Sequence, residues 1–464
     1  MQYRAEIDGL RALAVLPVIF FHAGFEYFKG GYIGVDIFFV ISGYLITSII
    51  IKEQELNNFS LLKFYERRAR RILPALFFIM FVSSFFAWFW LAPSDLKDFG
   101  QSLISVATFS SNFLFWIESG YFDTAVELKP LIHTWSLSVE EQYYLIFPVF
   151  MILFWKLGIK KIAFILIIVL ILSLCTAQII SSYDFTSKIS TSSFYLLPTR
   201  IWELLIGALC AIYLKNNRFF QSAILNNFLS ILGIFLIIFA IIFFNKSTPF
   251  PSFYTLIPTL GTMLLIIATT PNTIFYKLLS WSPLVGVGLI SYSAYLWHQP
   301  ILAFARHRTL DGLSDLVLML LCILSIGLAY LSWAYIEKPF RDKKVTSTKF
   351  IACFSTIGIF LFISIGSYFH FTNGAPQRVT FEDSLIESFM PTDFENCFSI
   401  EFNHYADKWG CSLGAKKEKY DLVFFGDSHS LSLKNLISDV AKKNNLSVFY
   451  TGSNGCLPFL GVYP

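Results

Sequence analysis

Residues 8–22 read DGLRALAVLPVIFFH, an apolar run holding Asp8, Arg11 and His22. Preceded by Arg4, it could be taken for a secretory signal, but no small-x-small cleavage site follows and Pro17 and His22 interrupt it. It is read as a retained first transmembrane helix. Arg11 and His22 are eleven residues apart. At about 100° and 1.5 Å per residue they return to nearly one face, roughly 16 Å apart along the axis. Asp8 can pair with Arg11 at i, i+3. A charge at one mouth and an imidazole deeper on the same stripe suggest a polar path into a bundle. The plainer reading is that Arg11 marks the cytoplasmic end while His22 nears the opposite headgroups. Ionisable groups inside a membrane are costly to bury, which favours a functional role.

The remainder of the chain supports a membrane reading. Its 464 residues are 55% hydrophobic and 14% charged, and include 52 Phe. Globular proteins carry about 25% charged residues, so a soluble domain is excluded as the whole answer. Apolar segments fall near residues 10–26, 33–51, 72–92, 142–157, 161–180, 199–214, 226–244, 254–270, 284–305, 314–336 and 351–371. A span needs about 20 apolar residues, so the shorter ones are marginal. Residues 98–117 are too polar and read as an interfacial or re-entrant helix. Lys and Arg concentrate in alternate loops, most densely at Lys63, Arg67, Arg68, Arg70 and Arg71 and again at Lys338, Arg341, Lys343 and Lys344. The positive-inside rule then places the N-terminus in the cytoplasm and residues 372–464 outside. A net charge of +4 calls for no nucleic-acid partner; anionic lipids suit the basic loops.

Further polar groups recur at helix depth. GVDIFFVISGYLI (34–46) carries Asp36, read as a partner for His22 or an exposed cap, and Gly43, read as a point of close helix approach. In FYERRARRILP (64–74), Arg68 and Arg71 share a face and could grip a phosphate bidentately. HTWSLSVEEQYYLIFP (133–148) offers a capping box from Ser138 to Glu141 and leaves His133, Trp135 and Glu140 unexplained. SYSAYLWHQP (291–300) and WAYIEKPFR (333–341) add Ser291, Tyr295, His298, Glu337 and Arg341. No metal-ligand spacing occurs, so no metal is expected. Cys175, Cys210, Cys322 and Cys353 lie in spans; Cys397, Cys411 and Cys456 lie in the exported part, where a Cys397–Cys411 bridge is one open pairing. Within that part FFGDSHS (424–430) reads as a strand delivering Ser428 to a tight turn.

Taken in order, these stretches over residues 1 to about 342 resemble the acyltransferase-3 family of bacterial membrane O-acyltransferases. The tail resembles the fused SGNH-hydrolase-like domain of its O-antigen and peptidoglycan O-acetyltransferases. The resemblance implies an all-α polytopic bundle of about ten helices (1–342), an eleventh linking helix (343–371), an exported linker (372–419) and an incomplete α/β SGNH-like domain (420–464). It assigns acyl transfer to Arg11 and His22 and donor binding to Arg68 and Arg71. Asp36, Glu140 and Glu337 occupy motif positions without a definite role, and Ser428 is the second nucleophile. Gly452 or Gly455 would supply the oxyanion-hole glycine. No histidine follows His429, so the family's Asp-x-x-His base is missing and a truncated product is expected. The implied donor is acetyl-CoA or another acyl-CoA, with no permanently bound cofactor. The implied acceptor is a surface or lipid-linked glycan: lipopolysaccharide O-antigen or core sugar first, then peptidoglycan or exopolysaccharide. The implied location is the bacterial inner membrane. A glycan flippase is the alternative from a different class.

Overall fold

A computed structural model describes residues 3–119, 125–182, 188–216, 222–245, 247–309, 312–378, 410–417, 419–426 and 433–452. The chain divides into two units, Met1–Pro376 and Gln377–Pro464.

Among the described residues the first unit is built of helices and their connecting turns. Its helices are α1 Ala5–Ala23, α2 Gly34–Glu55, α3 Leu61–Trp90, α4 Pro93–Ala107, α5 Ser111–Ile117, α6 Thr134–Phe154, α7 Ile159–Ser181, α8 Lys188–Tyr195 and α9 Leu197–Asn216. They continue as α10 Ala223–Phe243, α11 Leu256–Ala268, α12 Ile274–Leu279, α13 Ser282–Leu289, α14 Ser291–His307, α15 Asp315–Ser332, α16 Lys338–Arg341 and α17 Thr348–Phe371. Among the described residues eight helices are long and apolar enough to cross a membrane. They match eight of the eleven expected segments. The other three differ for identifiable reasons. The first helix carries Glu6, Asp8 and Arg11, the eighth segment forms only the short apolar stretch Phe253–Ala268, and the ninth is broken between α13 and α14. Residues 98–117, expected as one helix, fall in α4 and α5.

Helices approach closely where a side chain is missing. On α2, a Cβ at Gly43 would lie 1.8 Å from the Leu204 carbonyl oxygen; on α9, one at Gly207 would lie 1.9 Å from that of Val40. Without the hydrophobic effect to join lipid-facing helices, such backbone contact holds them by van der Waals packing. Many large apolar side chains on α7, α10, α15 and α17 remain exposed, as lipid contact requires.

Two local features place the site. Gly24 takes the left-handed conformation (φ 98°), and its N–H bonds to the Phe20 and Phe21 carbonyls, so α1 stops one residue beyond His22, at Ala23. A π-helical turn at Trp333–Glu337 joins α15 to α16 and turns Glu337 into the interior. The expected capping box at Ser138 is not formed. Helix α6 begins earlier, at Thr134, so Ser138 is interior to it, and its hydroxyl meets the Ser111 N–H and hydroxyl instead.

In the second unit, β1 Gly410–Gly414, β2 Leu422–Gly426 and β3 Ser447–Gly452 form a sheet in the order β1-β3-β2. Strands β2 and β3 are parallel, joined through helix Lys434–Lys443, and β1 is antiparallel to β3. The strand expected before Ser428 is β2. The sheet also takes in residues ahead of 420. Cys411 is disulfide-bonded, the four cysteines of the first unit are free, and Cys397 and Cys456 lie outside the described residues.

Candidate active site

Helix α3 sorts its five basic residues by face. Arg67 pairs with Glu53 at 3.0 Å. Arg70, buried, pairs with Glu66 at 2.9 Å and donates to the Thr346 hydroxyl and the Phe340 carbonyl, tying α3 to α16 and the segment after it. Arg68 and Arg71, one turn apart on another face, line a cavity with Arg11 of α1 and Glu140 of α6. The Arg68 guanidinium lies over the Phe64 and Tyr144 rings, at 5.9 and 5.8 Å. Neither Arg68 nor Arg71 has a carboxylate within salt-bridge distance among the described residues. Arg11 is held by Asp8 at 3.2 Å, the expected local pair. Glu140 accepts from the Ser42 hydroxyl at 2.7 Å. Three guanidinium groups, one of them held by Asp8, face one lining carboxylate in this cavity, and the fork geometry of arginine suits phosphate oxygens.

His22 does not reach that cavity. It lines a second and larger one, about 400 Å³ against about 90 Å³, with His133, Trp135, Phe194, Tyr195 and Arg200. The two cavities share Val35 and Tyr295 as lining residues. Tyr295 is held in place: its hydroxyl donates to the His133 carbonyl at 2.8 Å and lies 2.7 Å from the Ser136 hydroxyl. The stripe expected on α1 is therefore two chambers with a common partition, Arg11 opening into one and His22 into the other.

His22 stands beside His298 of α14, with 3.3 Å between His22 Nδ1 and His298 Nε2; the His133 ring packs against that of His298 at 5.3 Å. Arg306 donates to the His22 carbonyl at 2.5 Å, fixing the end of α1. Among the described residues, no group of three His, Cys, Asp or Glu side chains is arranged to hold a metal ion.

Asp36 corrects the sequence reading. It is neither a His22 partner nor an exposed cap, but fully buried, 3.1 Å from Arg200 of α9, which also lies 2.9 Å from Glu203. Four rings enclose the Arg200 guanidinium, those of Phe39, Trp135, Phe194 and Phe250, at 5.3–5.6 Å. One cation faces two carboxylates in an apolar shell, where stripping either charge of its partner is expensive. In LPTRIWELLIG the sequence signal for Arg200 and Glu203 is an i, i+3 ionisable pair inside an apolar span, the same pattern that marks Asp8 and Arg11 on α1. Glu337 lines neither cavity. It accepts from the Ser293 hydroxyl and from Arg341, locking α14 to α16. Gly452 ends β3; Ser428 and Gly455 lie outside the described residues.

Two cavities, one lined by arginines and one by histidines, are thus set side by side in the helical unit, and comparison with known proteins places the chain in a family. Residues 4–334 match the family described as "Acyltransferase domain". The chain belongs to that family. Residues 396–464 match the SGNH domain found fused to such acyltransferase domains. The peptidoglycan O-acetyltransferase of Listeria monocytogenes is 34% identical over 352 residues, 73% of this chain and 56% of that protein. The O-acetyltransferase of Staphylococcus aureus is 31% identical over 360 residues, covering 75% and 59%. A putative peptidoglycan O-acetyltransferase of Bacillus subtilis is 32% identical over 356 residues, covering 74% and 55%. The matches thus span a little over half the length of each relative. No solved structure matches the chain. Family membership and the apolar helices together make this chain a multi-pass membrane protein.

Proposed function

We propose that this protein moves an acetyl group from acetyl-CoA at the cytoplasmic face of a bacterial inner membrane to a hydroxyl on the way to a cell-surface glycan. The observation that carries this reading is the pair Arg68 and Arg71, cations in one cavity with no salt-bridge partner among the described residues, beside a His22 cavity behind a shared wall. The arginines hold the phosphates of the donor, with the basic loop cytoplasmic and the tail outside. His22 serves as general base. The hydroxyl oxygen bonds to the thioester carbonyl carbon, its proton passes to His22, the C–S bond breaks, and the proton returns to the departing CoA sulfur. Ser428 is the candidate hydroxyl that carries the acetyl group onward from the exported tail. Peptidoglycan is the preferred acceptor, because the Listeria relative carries it in its name. The O-antigen acceptor ranks second.

The test uses the full chain in proteoliposomes with labelled acetyl-CoA, followed by mass spectrometry of peptidoglycan from cells with and without the gene. CoA release that fails in His22→Ala, and acetyl groups missing from the glycan of the deletion strain, are expected. Unchanged glycan with no CoA release would refute the reading. Transport of an unmodified glycan intermediate by His22→Ala would favour a flippase.

A further inference from the structure

The geometry points to His298 as a positioning residue that fixes the tautomer of His22, so that Nε2 of His22 is the bare, proton-accepting nitrogen. This rests on the acyl-transfer reading for its consequence, while the geometry stands apart from it.

Two backbone carbonyls decide the assignment. The Tyr295 carbonyl lies 2.5 Å from His298 Nδ1, and the Val18 carbonyl lies 2.9 Å from His22 Nδ1. A carbonyl oxygen only accepts, so a bare ring nitrogen in either position would set lone pair against lone pair. Both Nδ1 atoms therefore carry hydrogen. Neutral His298 then has a bare Nε2, 3.3 Å from the His22 Nδ1–H, which it shares as acceptor with Val18. If His298 Nε2 carried the proton instead, His22 Nδ1 would have to accept it and would face the Val18 carbonyl bare. One neutral arrangement satisfies both carbonyls. It leaves Nε2 of His22 without hydrogen and without a hydrogen-bond partner among the described residues, on a ring that lines the 400 Å³ cavity.

The assignment matters because neutral imidazole in water prefers hydrogen on Nε2. A His22 in that form would present a donor to the attacking hydroxyl and could not take its proton. In a serine-protease triad, holding histidine in the wrong tautomer costs about 10⁴ in rate. Here Val18 remains as a second acceptor when His298 is removed, so the expected loss is smaller, about tenfold in kcat.

The test compares His298→Phe, which keeps a ring but offers no acceptor, with His298→Gln, whose side-chain oxygen can occupy the place of Nε2. In the full chain in lipid, the Phe variant should lose about tenfold in kcat with an unchanged KM for acetyl-CoA. The Gln variant should regain most of it. A merely structural role predicts equal losses tracking the melting temperature, and that result, or full activity in the Phe variant, would overturn the proposal. Imidazole 15N shifts of the wild-type chain, with His22 assigned against His22→Asn, give a readout independent of variant folding. A bare Nε2 is expected, and a bare Nδ1 would refute the assignment. Absence of CoA release by the wild type would count against acetyl transfer, while the 15N shifts would still judge the tautomer.

Discussion

Neighbouring arginines on α3 should fail in opposite ways. Arg71→Ala removes a cation that no carboxylate pairs among the described residues and that shares its cavity with Arg11 and Arg68. Its loss relieves like-charge crowding, so the melting temperature should hold or rise slightly. Donor binding should suffer: a hydrogen bond to a charged group is worth about 1.5–3 kcal/mol. At about 1.4 kcal/mol per decade, KM for acetyl-CoA should rise roughly 10- to 150-fold. Arg71→Lys should recover only part, because an ammonium cannot form the two-pronged contact. Arg70→Ala, one residue away, removes a buried partner of Glu66 and the tie to Phe340 and Thr346. Glu66 keeps Lys343 at 3.8 Å and the Thr348 hydroxyl at 3.0 Å, so the loss is that of the bonds from Arg70, about 1.5–3 kcal/mol, and the melting temperature should fall by several degrees. The KM of whatever fraction stays folded should change little. The assay is CoA release at varied acetyl-CoA by purified protein in proteoliposomes, paired with thermal unfolding of each variant. Equal KM increases for the two variants, or a larger stability loss for Arg71→Ala, would refute the division of labour.

Three further outcomes follow from the packing. Gly43→Ala places a methyl 1.8 Å from the Leu204 carbonyl oxygen, so α2 and α9 must separate; a loss of about 1–3 kcal/mol or more should appear in detergent melts, and a neutral result would show the interface to be looser than described. Arg200→Met strands Asp36 and Glu203 in an apolar shell and should destabilise by about 3–5 kcal/mol, with partial recovery when both carboxylates become amides; no recovery would show the loss is not electrostatic. Cys411 should resist alkylation in the intact chain until a reductant is added; labelling without reduction would contradict the disulfide.

The sequence by itself determined the membrane class, most of the spans and the family. These follow from local quantities, because apolar length decides what can cross a bilayer and residue spacing decides what shares a helix face. Spacing alone placed Arg68 and Arg71 together, paired Asp8 with Arg11 and put a strand before Ser428. It could not say that Arg70, in the same basic run, is a structural clamp, since the groups that hold it include Phe340 and Thr346, far along the chain. Asp36 went astray for the same reason: the partner that makes burial of a carboxylate tolerable sits on α9, and no pattern within α2 names it. Only the tertiary structure decided that Arg11 and His22, on one stripe of one helix, open into different cavities. Helix periodicity fixes the direction in which a side chain leaves its axis, but the neighbours it meets there, here Val35 and Tyr295, come from other helices.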